Sequence, residues 1–365
     1  MLRIVGYVDP LSVVPGDTLR FCVNSEYEES YQAEIVRLIH GDTNPKGPGY
    51  KEELIESSVS GEYPGQNQKI HAGSYILVPD HPRLQVESFT LQAFIFPTTP
   101  SKGVQALMTK WSAPDNSGYG LVIDESANVS LWIGDGKGKV ERVSTGAPLL
   151  RNIWYLVGAS FDAAAGTVRV WQQPVVTNAN GGFNASLVHP AKETTADVEK
   201  SVTLKRPGAN DCPFLMAAHT LHSHSGRTIY GGHYKEVRNP LELPIQGATY
   251  NGKIDRPRLS DQALSRNQVA EMSRDAGAIP SQRRTPLIGA WDFHANIVPN
   301  AASTHAIDTS GNELHGTAIN LPTRGVTGYN WTSDEMSYRH APEQYGAIHF
   351  HDDDVDDARW DVDFT

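Results

Sequence analysis

Ser88-Phe-Thr-Leu-Gln-Ala-Phe-Ile-Phe96 is the stretch that decides the fold. Successive side chains of a strand point to opposite faces, so Phe89, Leu91, Ala93 and Ile95 share one face. Four stretches of the same kind follow: Gly118-Tyr-Gly-Leu-Val-Ile-Asp124, Val129-Ser-Leu-Trp-Ile133, Trp154-Tyr-Leu-Val-Gly-Ala-Ser-Phe-Asp162 and Thr167-Val-Arg-Val-Trp171. In the second of these, Val129, Leu131 and Ile133 face one way, and Ser130 and Trp132 the other. In the last, Val168 and Val170 face in, leaving Thr167, Arg169 and Trp171 on the outer face. Asp162-Ala-Ala-Ala-Gly166 reads as a hairpin loop. Short alternating strands at close spacing, with turn residues between them, predict an all-β, antiparallel sandwich.

The chain has 365 residues, enough for two or three domains and for a core that needs no disulfides. Cys22 and Cys212 lie too far apart in sequence to suggest a ligand or disulfide framework. The start, Met1-Leu-Arg-Ile-Val-Gly-Tyr-Val-Asp9, lacks the apolar run of a signal peptide. No apolar stretch is long enough to span a bilayer. The expectation is a cytoplasmic protein with no membrane partner. Formal net charge is −11, and seven aspartates between Asp352 and Asp363, against Arg359 alone, supply −6 of it. With no basic stripe anywhere, a nucleic-acid partner is excluded.

Residues 1–64 read as the first strands of a smaller, immunoglobulin-like β-sandwich, with Leu19, Phe21 and Val23 alternating with Thr18, Arg20 and Cys22. Two strands bury no stable core alone, so this part needs partners. Residues 65–335 carry the main sandwich. Within it, residues 173–247 are rich in Pro, Gly, Asn and His, and read as a long insertion. Ser265 and Gln268 have capping-box spacing for a short helix with Val269 and Met272 on its apolar side, and Gly277 suits its end. Residues 336–365 alternate again and are expected to return to the small sandwich. The chain reaches Thr365 without a turn or capping signal, and is expected to be the front of a longer protein.

The strand run resembles the concanavalin/laminin-G-like jelly-roll sandwich, most specifically at Asn251-Gly-Lys-Ile-Asp-Arg-Pro-Arg-Leu259 followed by Ala263-Leu-Ser. A narrower resemblance runs through Trp291-Asp-Phe293, Asp308-Thr-Ser-Gly-Asn-Glu-Leu-His-Gly316, Asn320-Leu-Pro-Thr-Arg-Gly-Val-Thr-Gly328 with Trp331, and His349-Phe-His-Asp-Asp-Asp354. These look like the front half of the N,N-dimethylformamidase large-subunit family. That resemblance implies hydrolysis of a small amide to an amine and formate. It also implies a mononuclear iron held by two tyrosines and a glutamate in a region beyond the sandwich, a small-subunit partner and a homo-oligomer. No catalytic residue is carried over, because that region lies past the matching motifs.

Several residues are candidates for sites of their own. His219, His222, His224 and His233 cluster in sequence, and His222 and His224 would share a strand face at a spacing that suits Zn, Cu or Ni. No carboxylate or cysteine completes the pattern, so ordinary loop histidines are the plainer reading. Asp352, Asp354 and Asp356 have the spacing of a calcium loop, but Asp357 stands where its glycine belongs and Asp363 where its glutamate belongs. Asp308, Ser310 and Asn312 resemble a laminin-G-family turn near which calcium can bind, or they simply hydrogen-bond their own backbone. Trp132 and Trp171, on the outer face, would stack on a carbohydrate or meet another subunit, unless residues 173–247 cover them. The paired strand carboxylates of sandwich glycosidases are missing, as are a serine-hydrolase elbow and a phosphate-cradling glycine loop. The leading expectation is thus a non-catalytic assembly section of an amidohydrolase subunit. A carbohydrate-binding module comes second, and a metal enzyme built on the histidine loop third.

Overall fold

The computed structural model describes residues 4–9, 13–25, 30–66, 73–175, 191–229, 241–273, 286–294, 304–331 and 346–351. The chain divides into two units, Met1–Ile70 and His71–Thr365. The first holds β1 (Ile4–Asp9), β2 (Arg20–Ser25), β3 (Ser30–Ala33), β4 (Ile35–Gly41), β5 (Tyr50–Ile55) and β6 (Gly61–Pro64). They pair as three separate antiparallel ribbons, β1–β2, β3–β6 and β4–β5. Tyr31 and Tyr63 face each other across one ribbon and stack. Val36 and Leu54 face each other across another and are both exposed. Among the described residues of this unit no apolar side chain is buried.

The second unit opens with β7 (Tyr75–Val78), β8 (Phe89–Pro97), β9 (Gln105–Ser112), β10 (Ser117–Ile123), β11 (Val129–Asp135) and β12 (Val140–Ser144). It continues with β13 (Tyr155–Asp162), β14 (Thr167–Pro174), β15 (Ala196–Ser201), β16 (Phe214–Met216), β17 (His219–Ile229) and β18 (Leu241–Gly247). After β19 (Gly252–Ser260) come helix α1 (Arg266–Ser273), β20 (Leu287–Asp292), β21 (His305–Asp308), β22 (Gly316–Ile319), β23 (Thr323–Val326) and β24 (Ala347–Phe350).

One sheet runs β12-β11-β10-β9-β16-β7-β22-β21, with the β17–β18 pair joined to β9. The other runs β15-β14-β13-β8-β19. Beyond β19 that sheet forks, to β24 and β23 at one end and to β20 at the other. The expected alternation builds the core: Phe89, Leu91, Ala93 and Ile95 pack with Val129, Leu131, Ile133, Val168 and Val170 in one cluster. Phe89 leans on Tyr119, and Phe214 stacks on Trp291 across 5.3 Å. This is the expected all-β sandwich.

A third layer covers the outer face of the second sheet. α1 starts at the expected capping box, with the Gln268 N–H donating to Ser265 Oγ and the Ser265 N–H to Gln268 Oε1. Its Val269 and Met272 pack with Leu264, Leu287 and Ala290 against Trp171. Farther along the sheet, Tyr329 stacks flat on Phe94 at 3.6 Å.

Two expectations about organisation are corrected. Residues 173–247 are no structureless insertion: among the described residues they end β14 and supply β15, β16, β17 and β18. The alternation hides there because β15 is a polar strand with no buried residue, β16 is three residues long and β17 pairs through bulges. Likewise β24 does not return to residues 1–64. It pairs with Gly252–Ile254 of β19, and Ala347, Ile348 and Phe350 are buried there. Residues 336–345 and 352–365, with Asp352, Asp354 and Asp356, lie outside the described residues.

Candidate functional site

A cleft of about 800 Å³ opens where the β9–β10 and β11–β12 turns meet the segment 203–210. Its floor is laid by close backbone packing. Gly118, at φ +105°, sits where a Cβ would fall 1.9 Å from the Lys110 carbonyl oxygen, so glycine is required there. A Cβ on Gly208 would meet the Asp135 backbone at 2.6 Å. Three anchors hold segment 203–210 in place. The Thr203 N–H and Oγ1 both reach Glu141 Oε1, the Gly208 N–H donates to the Gly134 carbonyl at 2.7 Å, and Asn210 Nδ2 donates to the Ser117 carbonyl.

At the base, Lys110 is 1% exposed, and its Nζ donates to Asp80 Oδ1 and to the Cys212 carbonyl, both at 2.6 Å. A buried ammonium needs such partners. Tyr119, beside it, donates to the Leu84 carbonyl, and burial together with the Asp80 charge pushes its phenol upward. Burial likewise pushes the Cys212 thiol up, and the Lys110 charge opposes that. At the rim stand Lys137 and Lys139 on one side and Lys205 and Arg206 on the other, all exposed. Asp135 is engaged in its own turn, accepting from the N–H groups of Lys137 and Lys139, which holds its carboxyl below the usual range.

A second polar group lies on β19, where a bulge places Arg256 at φ +48°. Burial pushes Asp255 up to about 6, against the pull of Arg256 and of the Tyr329 N–H. Arg256 Nη1 donates to Tyr329 Oη at 2.6 Å. His294 Nδ1 is 2.6 Å from Asp292 Oδ1, and that bond pushes the imidazole pKa up.

The residues singled out from sequence sit elsewhere. His222 and His224 are exposed on a stretch of β17 that pairs through bulges; His224 pairs with Glu242 at 3.2 Å, and the described residues bring no further ligand. His219 is pushed down to about 4 by burial, and His233 lies outside the described residues. Asp308 is buried, and its carboxylate accepts from the N–H groups of Ala290, Ser310 and Leu314 and from Ser310 Oγ. Asn312 Nδ2 donates to the Leu287 and Ile288 carbonyls. Both residues are occupied in fixing a turn, which leaves no carboxylate oxygen free for calcium. Trp132 and Trp171 are 8% and 5% exposed, so neither indole is an open contact surface. Trp132 is covered by Trp111 and by the Arg142 guanidinium 4.2 Å above it. Trp171 is covered by α1 and β20 in place of residues 173–247.

Residues 71–192 match the concanavalin A-like lectin/glucanases superfamily. Over 369 residues the chain is 39% identical to the N,N-dimethylformamidase beta subunit of Paracoccus aminophilus. It is 38% identical over 367 residues to the beta subunit of that name from an Alcaligenes species. The chain is a homologue of the N,N-dimethylformamidase beta subunit. Each alignment takes in all of this chain and 45% of the relative, so the chain spans less than half the length of these beta subunits. Among solved structures it is similar to a putative carbohydrate binding protein from Bacteroides ovatus. That match has 15% identity and a TM-score of 0.41, over 74% of this chain and 65% of that one, too distant to bear on function.

Two of the stretches that carry the beta-subunit resemblance are fold-building. Trp291 is buried and donates through Nε1 to the Leu314 carbonyl, and Asp308 ties the same turn together. Among the described residues no group of three or more His, Cys, Asp or Glu is placed to hold a metal ion, and no iron ligand is assigned to this chain. The rim cations of the cleft escaped the sequence reading. They come from loops some 66 positions apart, and no motif spacing joins them.

Proposed function

We propose that this chain is a non-catalytic assembly section of the large subunit of an N,N-dimethylformamidase-type amidohydrolase acting in the cytoplasm. Hydrolysis of the amide to amine and formate falls to an iron-bearing domain further along the polypeptide. The observation that carries the reading is the pairing of full-length identity with partial coverage: all of this chain aligns, to only 45% of each relative. The first unit adds support. Isolated two-stranded ribbons are at best marginally stable in water, and Phe21, Leu38 and Leu54 are each more than half exposed. Such ribbons need cover, from the catalytic domain, a small subunit or another copy of the large one. The lectin-like alternative rested on Trp132 and Trp171, and both are buried. The test is to purify residues 1–365, assay dimethylformamide turnover and measure iron by elemental analysis. Neither turnover nor stoichiometric iron is expected, and turnover by this chain alone would sink the proposal.

A further inference from the structure

We infer that the cleft between the β11–β12 turn and segment 203–210 binds a small molecule carrying two or more oxyanion groups, carboxylate or phosphate. The inference stands apart from the assembly reading, since it rests on the cleft alone. A volume of about 800 Å³ lies within the range of small-molecule sites. Five cations line it, Lys110, Lys137, Lys139, Lys205 and Arg206, against Glu87, Asp115 and Asp135. This cationic excess stands on a chain whose net charge is −11. Lys110 is already matched by Asp80. The other four cations make no salt bridge within 4 Å among the described residues, although Lys137 acts electrostatically on Asp135.

Two of the three acids are tied down. Asp135 accepts the turn N–H groups, and Asp115 accepts from Ser112 Oγ at 2.9 Å. Glu87 remains exposed and opposes any anion, so binding rests on the cationic excess of the lining, five against three. Two cations on each wall suit a ligand with an anionic group at each end. The walls are fixed in advance by the Thr203, Gly208 and Asn210 anchors, which lowers the ordering cost of binding.

The experiment is titration calorimetry of residues 1–365 with citrate and, separately, with inorganic pyrophosphate, at low salt. Saturable binding of at least one probe is expected, weakening as salt is raised because the rim is exposed. Binding of citrate alone would identify a carboxylate site, and of pyrophosphate alone a phosphate site. Lys205→Gln with Arg206→Gln, and separately Lys137→Gln with Lys139→Gln, should each weaken binding about tenfold. These side chains are exposed, so both variants should keep the wild-type circular dichroism spectrum. Lys51→Gln, on the first unit, should leave affinity unchanged. Absence of saturable binding to both probes would overturn the inference. So would an equal loss in Lys51→Gln, which would mark general charge attraction.

Discussion

Replacing Asp308 by Asn separates a turn-building carboxylate from a calcium ligand. Oδ1 accepts from the Ala290 N–H at 3.0 Å and the Ser310 N–H at 2.9 Å, and Oδ2 from Ser310 Oγ at 2.8 Å and the Leu314 N–H at 3.0 Å. In the variant, the amide NH2 faces donors wherever it is placed. The cheaper placement is at Oδ2, where Ser310 Oγ can rotate to accept but the buried Leu314 N–H loses its partner, at about 1–3 kcal/mol. The two surviving bonds become neutral, which costs about 1 kcal/mol each. The sum is about 3–5 kcal/mol, a large share of the ~5–15 kcal/mol that stabilises a folded protein. At roughly 2 °C per kcal/mol for a unit of this size, the Tm of the sandwich should fall by about 6–10 °C. Thermal unfolding followed by circular dichroism, with EDTA and then with excess calcium, reads the effect. The same fall in both conditions is expected. A wild type stabilised by calcium, with a variant that loses only that increment, would refute the reasoning and make Asp308 a ligand.

Other perturbations test neighbouring parts of the structure. Trp171→Ala should destabilise the chain by about 3–5 kcal/mol, because the indole is buried under α1 and β20; unchanged chemical denaturation would show that this layer is not packed as described. Gly158→Ala should cost about 1–3 kcal/mol, since its Cβ would fall 2.3 Å from the Trp171 ring and 2.5 Å from the Leu91 carbonyl oxygen. The folded state keeps Asp255 protonated up to about pH 6, whereas its ordinary value is 3.8, so its contribution is fully present below about pH 4 and is lost as pH rises through 6. Asp255→Asn should therefore gain on wild type by on the order of 3 kcal/mol across that window. His219 and His349, both pushed down to about 4 by burial, act in the opposite sense, destabilising the fold as pH falls below the ordinary histidine range. They are common to both proteins, so a difference between wild type and Asp255→Asn that is flat in pH would refute the assignment.

The sandwich was legible because a strand with one face in the core must alternate, and Phe89 to Ile95 and Val129 to Ile133 do so over several residues. The capping box at Ser265 was legible because it is local. What failed was non-local or short. β15 is an exposed polar strand, visible only as the partner of β14. The alternation of β24 marks it as a strand but does not specify its partner, which is β19. Alternation puts Trp132 and Trp171 outside the central core cluster. Their cover comes from Arg142 across a strand pair and from α1 and β20 more than 90 positions away. The i, i+2 spacing of His222 and His224 predicts a shared face only in a regular strand; β17 pairs through bulges there, and spacing does not supply a third ligand.

The third layer bears most directly on how the fold is used. In a two-layer sandwich the outer face of each sheet is free to meet a ligand, and that freedom makes a lectin-like reading attractive. Here the outer positions of β8 are closed: Thr90, Gln92 and Phe94 are at most 5% exposed. Thr90 Oγ1 donates to the Gln262 carbonyl, Tyr329 lies flat on Phe94, and Arg258 donates to the Met272 carbonyl at the end of α1. Closing a polar face in this way is costly unless its hydrogen bonds are met, and these contacts meet most of them with the chain's own backbone. A glycan would have to displace packed indoles and several internal hydrogen bonds to reach that sheet. Likeness to a lectin superfamily therefore brings the sandwich without this sheet's open face. On the main sandwich, the binding inferred above therefore rests on the turns that build the cleft.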